Sequence, residues 1–252
     1  MNCRIKQQVD RTALVGLNVG EGDPAQLFEV VERIAVFGDA WYPGGKPEDT
    51  VSDFIVNRDV AQAQCHDRRV PLAEPMVVGV LLAAGAGRRY GKPKVLVEGW
   101  LETAVGALRD GGCAEVVLVL GAAEVPAPPG VTAITAPDWD EGLSASVRAG
   151  LLHAEGMDAD YAVLHVIDTP DVGPAVVARV LGRALASGGG LARTYFGDRP
   201  GHPVVIGRQH LPAVLAQISG DQGAGSYLRS RRDVEIVDCA DLAGGQDVDE
   251  PG

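Results

Sequence analysis

Residues 81–94 read LLAAGAGRRYGKPK, and this stretch decides the fold. It begins inside a continuous apolar run, VVGVLLA at 77–83, of the kind that forms a strand covered on both faces. The run breaks into a loop holding Gly85, Gly87 and Gly91. The same loop carries Arg88, Arg89, Lys92 and Lys94, four cations within seven residues. Glycines let the backbone approach a phosphate closely, and successive N–H groups form an anion-binding nest. Strand, glycines and cations together predict a phosphate site where the first strand ends. Two familiar phosphate loops do not fit. A dinucleotide fingerprint needs G-x-G-x-x-G opening straight into a helix. From Gly85 the spacing is G-x-G-x-x-x-G, and Pro93 interrupts any helix. A P-loop needs G-x-x-x-x-G-K followed by Ser or Thr. Here Pro93 follows Lys92, and the glycine spacing is wrong.

Outward from this loop, strand-like and helix-like stretches alternate. EVVLVL at 115–120, VTAIT at 131–135 and YAVLHVI at 161–167 read as strands. Shorter strands are expected at 191–195, 204–206 and 234–237. Helical spacing appears at 101–109, at 144–155 with Ser144 as N-cap, and at 174–186 with Pro174 at its start. Further helices are expected at 211–218 and 224–229. This alternation implies an α/β architecture, a mainly parallel sheet with helices on both faces. It is confined to residues 76–252. Residues 1–75 give one plausible amphipathic helix at 25–37 and a turn at 41–45, WYPGG, but no sustained period. They read as an appendage, a partner-binding segment or a partly disordered stretch. A start at Met76, giving a self-contained domain, is an equal alternative.

The 252 residues carry a formal net charge of -12, which repels phosphate backbones and argues against a nucleic-acid-binding face. Aromatic residues are only 5%, too few for the stacking platforms of single-strand binders. Cys3, Cys65, Cys113 and Cys239 form no C-x-x-C pair and read as reduced, partly buried thiols. The longest uncharged apolar stretch, 75–87, is too short to span a bilayer, and the N-terminus does not read as a signal peptide. A cytoplasmic protein with no membrane partner is expected.

Residue by residue, the loop resembles the L-A-A-G-x-x-x-R-x-G-x-x-K signature of sugar-nucleotide and cofactor nucleotidyltransferases. Leu82, Ala83, Ala84, Gly85, Arg88, Gly91 and Lys94 occupy its positions, with Arg89 an alternative to Arg88. Pro93 before Lys94 is similar to the MobA-like branch, which includes molybdenum cofactor guanylyl- and cytidylyltransferases. Tyr90 stands where that family usually has Met. The likeness continues in chain order. Residues 137–148, PDWDEGLSASVR, resemble the stretch that lies near the nucleotide base, with Ser144 and Ser146 offering hydroxyls. Asp168 in IDTP matches a motif whose Asp holds Mg2+. His202 in GHPVV sits in a motif typical of the molybdopterin-specific members, on a turn suited to a substrate contact. GDQGA at 220–224 matches the turn that follows. Asp247 and Asp249 in DVDEP resemble the closing motif that returns a carboxylate to the metal, with Glu250 in place of Thr.

The resemblance implies a three-layer α/β/α fold with a Rossmann-like sheet of the nucleotide-diphospho-sugar transferase type. It implies a nucleotide held by Ala83, Ala84, Gly85, Gly87, Gly91, Ser144, Ser146 and His202. Arg88, Lys94 and Asp168 would be catalytic, and Asp168, Asp249 and Asp247 would bind Mg2+. CTP or GTP would donate a nucleotidyl group to a phosphate-bearing cofactor such as molybdopterin. The wording of GKPKVLVEGWLE, HVIDTPDVGP and PGHPVVIGR is also similar to a branch named for nicotine blue oxidoreductase. There NAD(P)H would reduce a quinone-like heteroaromatic dye in the same crevice, Tyr90 and Trp100 could flank a flat ring, and no metal would be needed. A third alternative is a maturation chaperone that carries cofactor to a molybdoenzyme without turnover.

Overall fold

The computed structural model describes residues 74–250. The expectations for the helix at 25–37, the turn at 41–45, Cys3 and Cys65 lie outside the described residues. Within them, β1 (Val77–Leu82), β2 (Glu115–Leu120), β3 (Val131–Thr135) and β4 (Tyr161–Val166) follow the apolar runs within a residue. Helices α1 (Trp100–Asp110), α2 (Leu143–Gly156) and α3 (Pro174–Ala186) connect or follow them. Then come β5 (Leu191–Phe196), β6 (Arg199–Gly207), α4 (Leu211–Gln217), α5 (Gly225–Arg229) and β7 (Glu235–Asp238).

The strands form one seven-stranded sheet in the order β3-β2-β1-β4-β6-β5-β7. Every β1 residue is buried, as a strand covered on both faces requires. Leu101, Leu108, Val176 and Val180 of α1 and α3 pack with Leu81, Leu118 and Val163 on one face. Val147, Leu151, Leu211 and Val214 of α2 and α4 pack with Val78, Val80 and Val117 on the other. These two cores make the expected three layers. Burial pushes the Cys113 thiol up to about 12, so it is packing material and no nucleophile.

Two local expectations fail for identifiable reasons. The strand expected at 204–206 begins earlier, at Arg199, and runs antiparallel to both β4 and β5. Only Gly197 and Asp198 separate it from β5, which leaves no room for a crossover helix. Gly197, with φ +64, makes a hairpin possible at that point. His202 therefore lies inside a strand and not on a turn. Ser144 does not cap α2 either. The N-cap is Gly142, no side chain caps the helix, and the Ser144 N–H donates to the Gly220 carbonyl at 2.9 Å.

The sheet order places the site. From β1 the chain moves first to β2 on one side and later to β4 on the other, so β1 and β4 flank a topological switch point. Ligand crevices in open α/β sheets form outside the carboxyl ends of such strands. The glycine-rich loop leaves β1 there, and Ile167-Asp168 leaves β4 there.

Candidate functional site

A cleft of about 430 Å³ opens at this switch point. Its floor is the loop after β1, held open by backbone hydrogen bonds. Ala83 N–H donates to Val119, and Ala122 N–H donates to Ala84, which tie the loop's first residues to the end of β2. Gly91 N–H closes the loop onto the Gly87 carbonyl at 2.8 Å. At Gly87 the backbone has φ +59, and a Cβ would stand 1.9 Å from the Lys92 carbonyl oxygen. Only glycine fits that position. Pro93 then starts a 3-10 turn, Lys94–Leu96, whose first residue carries the key cation into the crevice.

Lys94 Nζ donates to Asp168 Oδ2 and to Asp249 Oδ1, both at 2.9 Å. Its side chain is only 13% exposed. Burial works against the ammonium charge, yet the two carboxylates outweigh it and raise the Lys94 pKa. The same Lys94 hydrogen bond holds Asp249 below the usual carboxylate range. Asp247, next along the segment, is pushed up by desolvation of its carboxyl and then by the Asp168 and Asp249 charges. One ammonium thus bridges two carboxylates, one at the end of β4 and one at the C-terminal end of the described residues, and offsets one of their two charges.

Asp249 arrives on a C-terminal strap. Val248 N–H donates to the Asp168 carbonyl at 2.9 Å. Asp171 Oδ2 accepts from Gly244 and Gly245 N–H, and Arg199 donates to the Gly244 carbonyl. The strap lies flat because Gly245, at φ +57, passes over the Phe196 ring, where a Cβ would sit 1.9 Å from a ring carbon. None of these anchors is marked by a motif, and sequence reasoning missed them.

The structure divides the expected site residues. Ala83, Ala84, Gly85, Gly87, Arg88, Lys94, Ser146, Asp168 and Asp249 line one cleft, together with Tyr90, named above only as a ring-flanking residue, and with Trp139 and Leu143, which had not been singled out. Gly91 shapes the loop without lining the cleft, and Ser144 is buried behind it. His202 stands beside the cleft on β6, its Nδ1 3.4 Å from the Leu164 carbonyl oxygen. Arg88 and Arg89 both line the cleft and differ in their partners. Arg89 pairs with Asp249 at 2.7 Å. Arg88 lines the cleft with no ion pair among the described residues. Trp100 packs against the α1 and α3 core and against Tyr90, with ring centroids 5.5 Å apart, and does not flank the cleft.

The arrangement suits a polyphosphate. A hard divalent cation prefers one or two carboxylates plus phosphate oxygens. The donor set fits, since Asp168 and Asp249 converge on a single point now served by Lys94. Among the described residues no cluster of three or more His, Cys, Asp or Glu is arranged to hold a metal. A cation here would therefore draw its remaining ligands from the substrate and water. Among the described residues no helix is long and apolar enough to cross a membrane.

Comparison with known proteins gives a consistent result. Residues 79–235 match the family model described as MobA-like NTP transferase domain. Nicotine blue oxidoreductase of Paenarthrobacter nicotinovorans is 35% identical over 192 residues, covering 69% of this chain and 93% of that protein. The crystal structure of Rv0371c from Mycobacterium tuberculosis H37Rv superposes with a TM-score of 0.60 at 28% identity, covering 71% of this chain and 95% of that one. A complex of Rv0371c with manganese superposes with a TM-score of 0.54 at 26% identity, covering 65% and 88%.

Proposed function

The chain belongs to the MobA-like NTP transferase family, and from that premise we propose that it transfers a nucleotidyl group from CTP or GTP to a phosphate-bearing small molecule of the molybdopterin type. The observation that carries the reading is Lys94 held between Asp168 and Asp249 beside a glycine- and arginine-rich loop. The loop would bind the triphosphate through its backbone N–H groups, with Arg88, which has no ion pair among the described residues, facing it. Ser146, at the start of α2, lies on the side expected to meet the base. A terminal phosphate oxygen of the acceptor attacks the α-phosphorus, a new P–O bond forms, the bond to the β-phosphate oxygen breaks, and pyrophosphate leaves. That nucleophile is already anionic, so no strong base is required. Positioning and charge stabilisation carry the catalysis. A divalent cation held by Asp168 and Asp249, with Asp247 beside them, would supply charge neutralisation at the phosphate oxygens. A manganese complex of the related Rv0371c supports that role.

Likeness to nicotine blue oxidoreductase favours a second reading, reduction of a heteroaromatic dye by NAD(P)H in the same cleft. Two assays separate them. Pyrophosphate release from CTP or GTP with Mg2+ and molybdopterin supports transfer. Oxidation of NADH or NADPH on a dye acceptor, with no pyrophosphate released, would replace it.

Gly87→Ala tests the loop. The added methyl meets the Lys92 carbonyl at an unfavourable φ, a strain of about 1–3 kcal/mol that the loop relieves by moving. Nucleotide affinity measured by calorimetry is expected to fall at least about tenfold. Unchanged affinity would show that the nucleotide does not sit on this loop.

A further inference from the structure

Two guanidinium groups meet where β5 faces the start of α5, with no carboxylate between them. Passing from the cleft across the sheet, β4 is followed by β6 and then β5. Val166 at the end of β4 lines the cleft. The antiparallel register pairs Leu164 with Val204, so His202 lies further along β6 toward the cleft end. On β5, Arg193 is the register partner of Val204. Its side chain reaches the start of α5. A Cβ placed on Gly225 would stand 3.5 and 3.8 Å from Arg193 Nη1 and Nη2, and 3.4 Å from Arg229 Nη1. Both guanidiniums therefore lie within 4 Å of a single point beside Gly225.

Among the described residues neither arginine forms an ion pair. Arg193 Nε is buried and has no hydrogen-bond partner. Desolvation makes the Arg193 charge harder to hold, nearby Tyr195 partly offsets this, and Arg229 adds to it. The chain has 34 acidic residues against 22 basic ones, so a carboxylate was readily available and none is used. Paired planar guanidiniums match the oxygens of a phosphate or carboxylate, and such charge-assisted bonds are among the strongest a surface offers.

We propose that Arg193 and Arg229 form a second anion subsite, adjoining the nucleotide cleft, which holds an oxyanion group of the acceptor substrate. The assignment of that anion to the acceptor rests on the transfer reading above. The anion site itself does not.

The probe is inorganic phosphate, with acetate as the carboxylate arm, titrated into the full chain without nucleotide. The Nε–Hε NMR signal of Arg193, assigned by its loss in Arg193→Lys, reports occupancy. A saturable shift is expected. It persists in Lys94→Ala, which impairs the nucleotide loop, and Arg229→Gln weakens it at least about tenfold. Arg229 lies at the exposed end of a short helix, so that variant keeps its fold even if changes at β5 do not. Tighter response to phosphate than to acetate names a phosphate group, and the reverse names a carboxylate. A signal that answers neither anion, or whose response disappears in Lys94→Ala, overturns the proposal. A chain that binds phosphate here yet releases no pyrophosphate keeps the subsite and loses only the transfer reading. Where transfer is observed, Arg229→Gln raises KM for the acceptor and leaves KM for the nucleotide unchanged.

Discussion

Asp168→Asn is expected to lower pyrophosphate release by about a hundred- to a thousandfold, or ~3–4 kcal/mol of barrier, while nucleotide binding survives. The substitution is nearly isosteric. An Asn side-chain oxygen still accepts from Lys94 Nζ, so the ammonium keeps a partner at the position now 2.9 Å away. The backbone is fixed independently, because Val248 N–H donates to the Asp168 carbonyl and Ile167 N–H to Leu82. What disappears is one full negative charge at the carboxyl end of β4. On the transfer reading, binding rests mainly on loop N–H groups and Arg88, which the change does not touch, whereas catalysis rests on how charge is balanced around the phosphates as the bond to pyrophosphate breaks. Initial rates with CTP or GTP and Mg2+, beside calorimetric nucleotide affinity, separate the two quantities. A normal rate in Asp168→Asn would remove this carboxylate from the mechanism. Equal losses in rate and affinity would make it a binding residue only.

The parts of the molecule that were legible in the sequence are those set by local physics. Short continuous apolar runs such as 77–83 and 115–120, rich in Val and Leu and bounded by turn residues, read as strands buried on both faces, and they end within a residue of the expected bounds. Pro174 at the first turn marks α3 without ambiguity. The loop that lines the cleft was legible because glycines and cations coincide at a strand end. The hairpin between β5 and β6 was less visible, since Gly197-Asp198 is a two-residue signal inside a polar stretch. Missing it made His202 look like a turn residue. Ser144 failed as a cap because Gly142, at φ +129, already turns the chain against the Gly220 carbonyl. Long-range pairing was the hardest to read. Nothing local in residues 244–249 says that Asp171 and Phe196 will pin them down, and only the motif likeness pointed Asp249 at Asp168. The split between Arg88 and Arg89 depends on which one Asp249 reaches. The pairing of Arg193 with Arg229 across Gly225 depends on a helix docking over the sheet.

Lys94→Met is expected to cost at least as much activity as Asp168→Asn, again about a hundred- to a thousandfold, and to leave a pH signature. Methionine keeps the length and apolar stem of lysine but removes the charge that joins Asp168 to Asp249. Two carboxylates then face each other with Asp247 close by, and each opposes ionisation of the others. In the intact protein Lys94 holds the Asp249 pKa below its unfolded value. A depressed carboxylate contributes stability at pH values above its unfolded pKa of ~3.9, and that contribution fades as pH falls through the folded value. The raised Lys94 pKa adds a term present below ~10.4 and lost only in strong base. Near neutral pH both terms are therefore intact in the wild type and absent in Lys94→Met. The partly exposed pair is worth about 1 kcal/mol, which corresponds to ~2–4 °C in Tm for a domain of this size. Melting curves across pH should show that gap at neutrality and show it closing below ~4 as the carboxylates protonate. Asp249 in the variant, no longer held down by Lys94, should titrate at higher pH than in the wild type. A gap that stays constant in acid would mean that Lys94 acts through packing and not through its charge. Full transfer activity in Lys94→Met would mean that the ammonium merely fills the crevice, with the phosphates stabilised by Arg88 and the loop N–H groups alone.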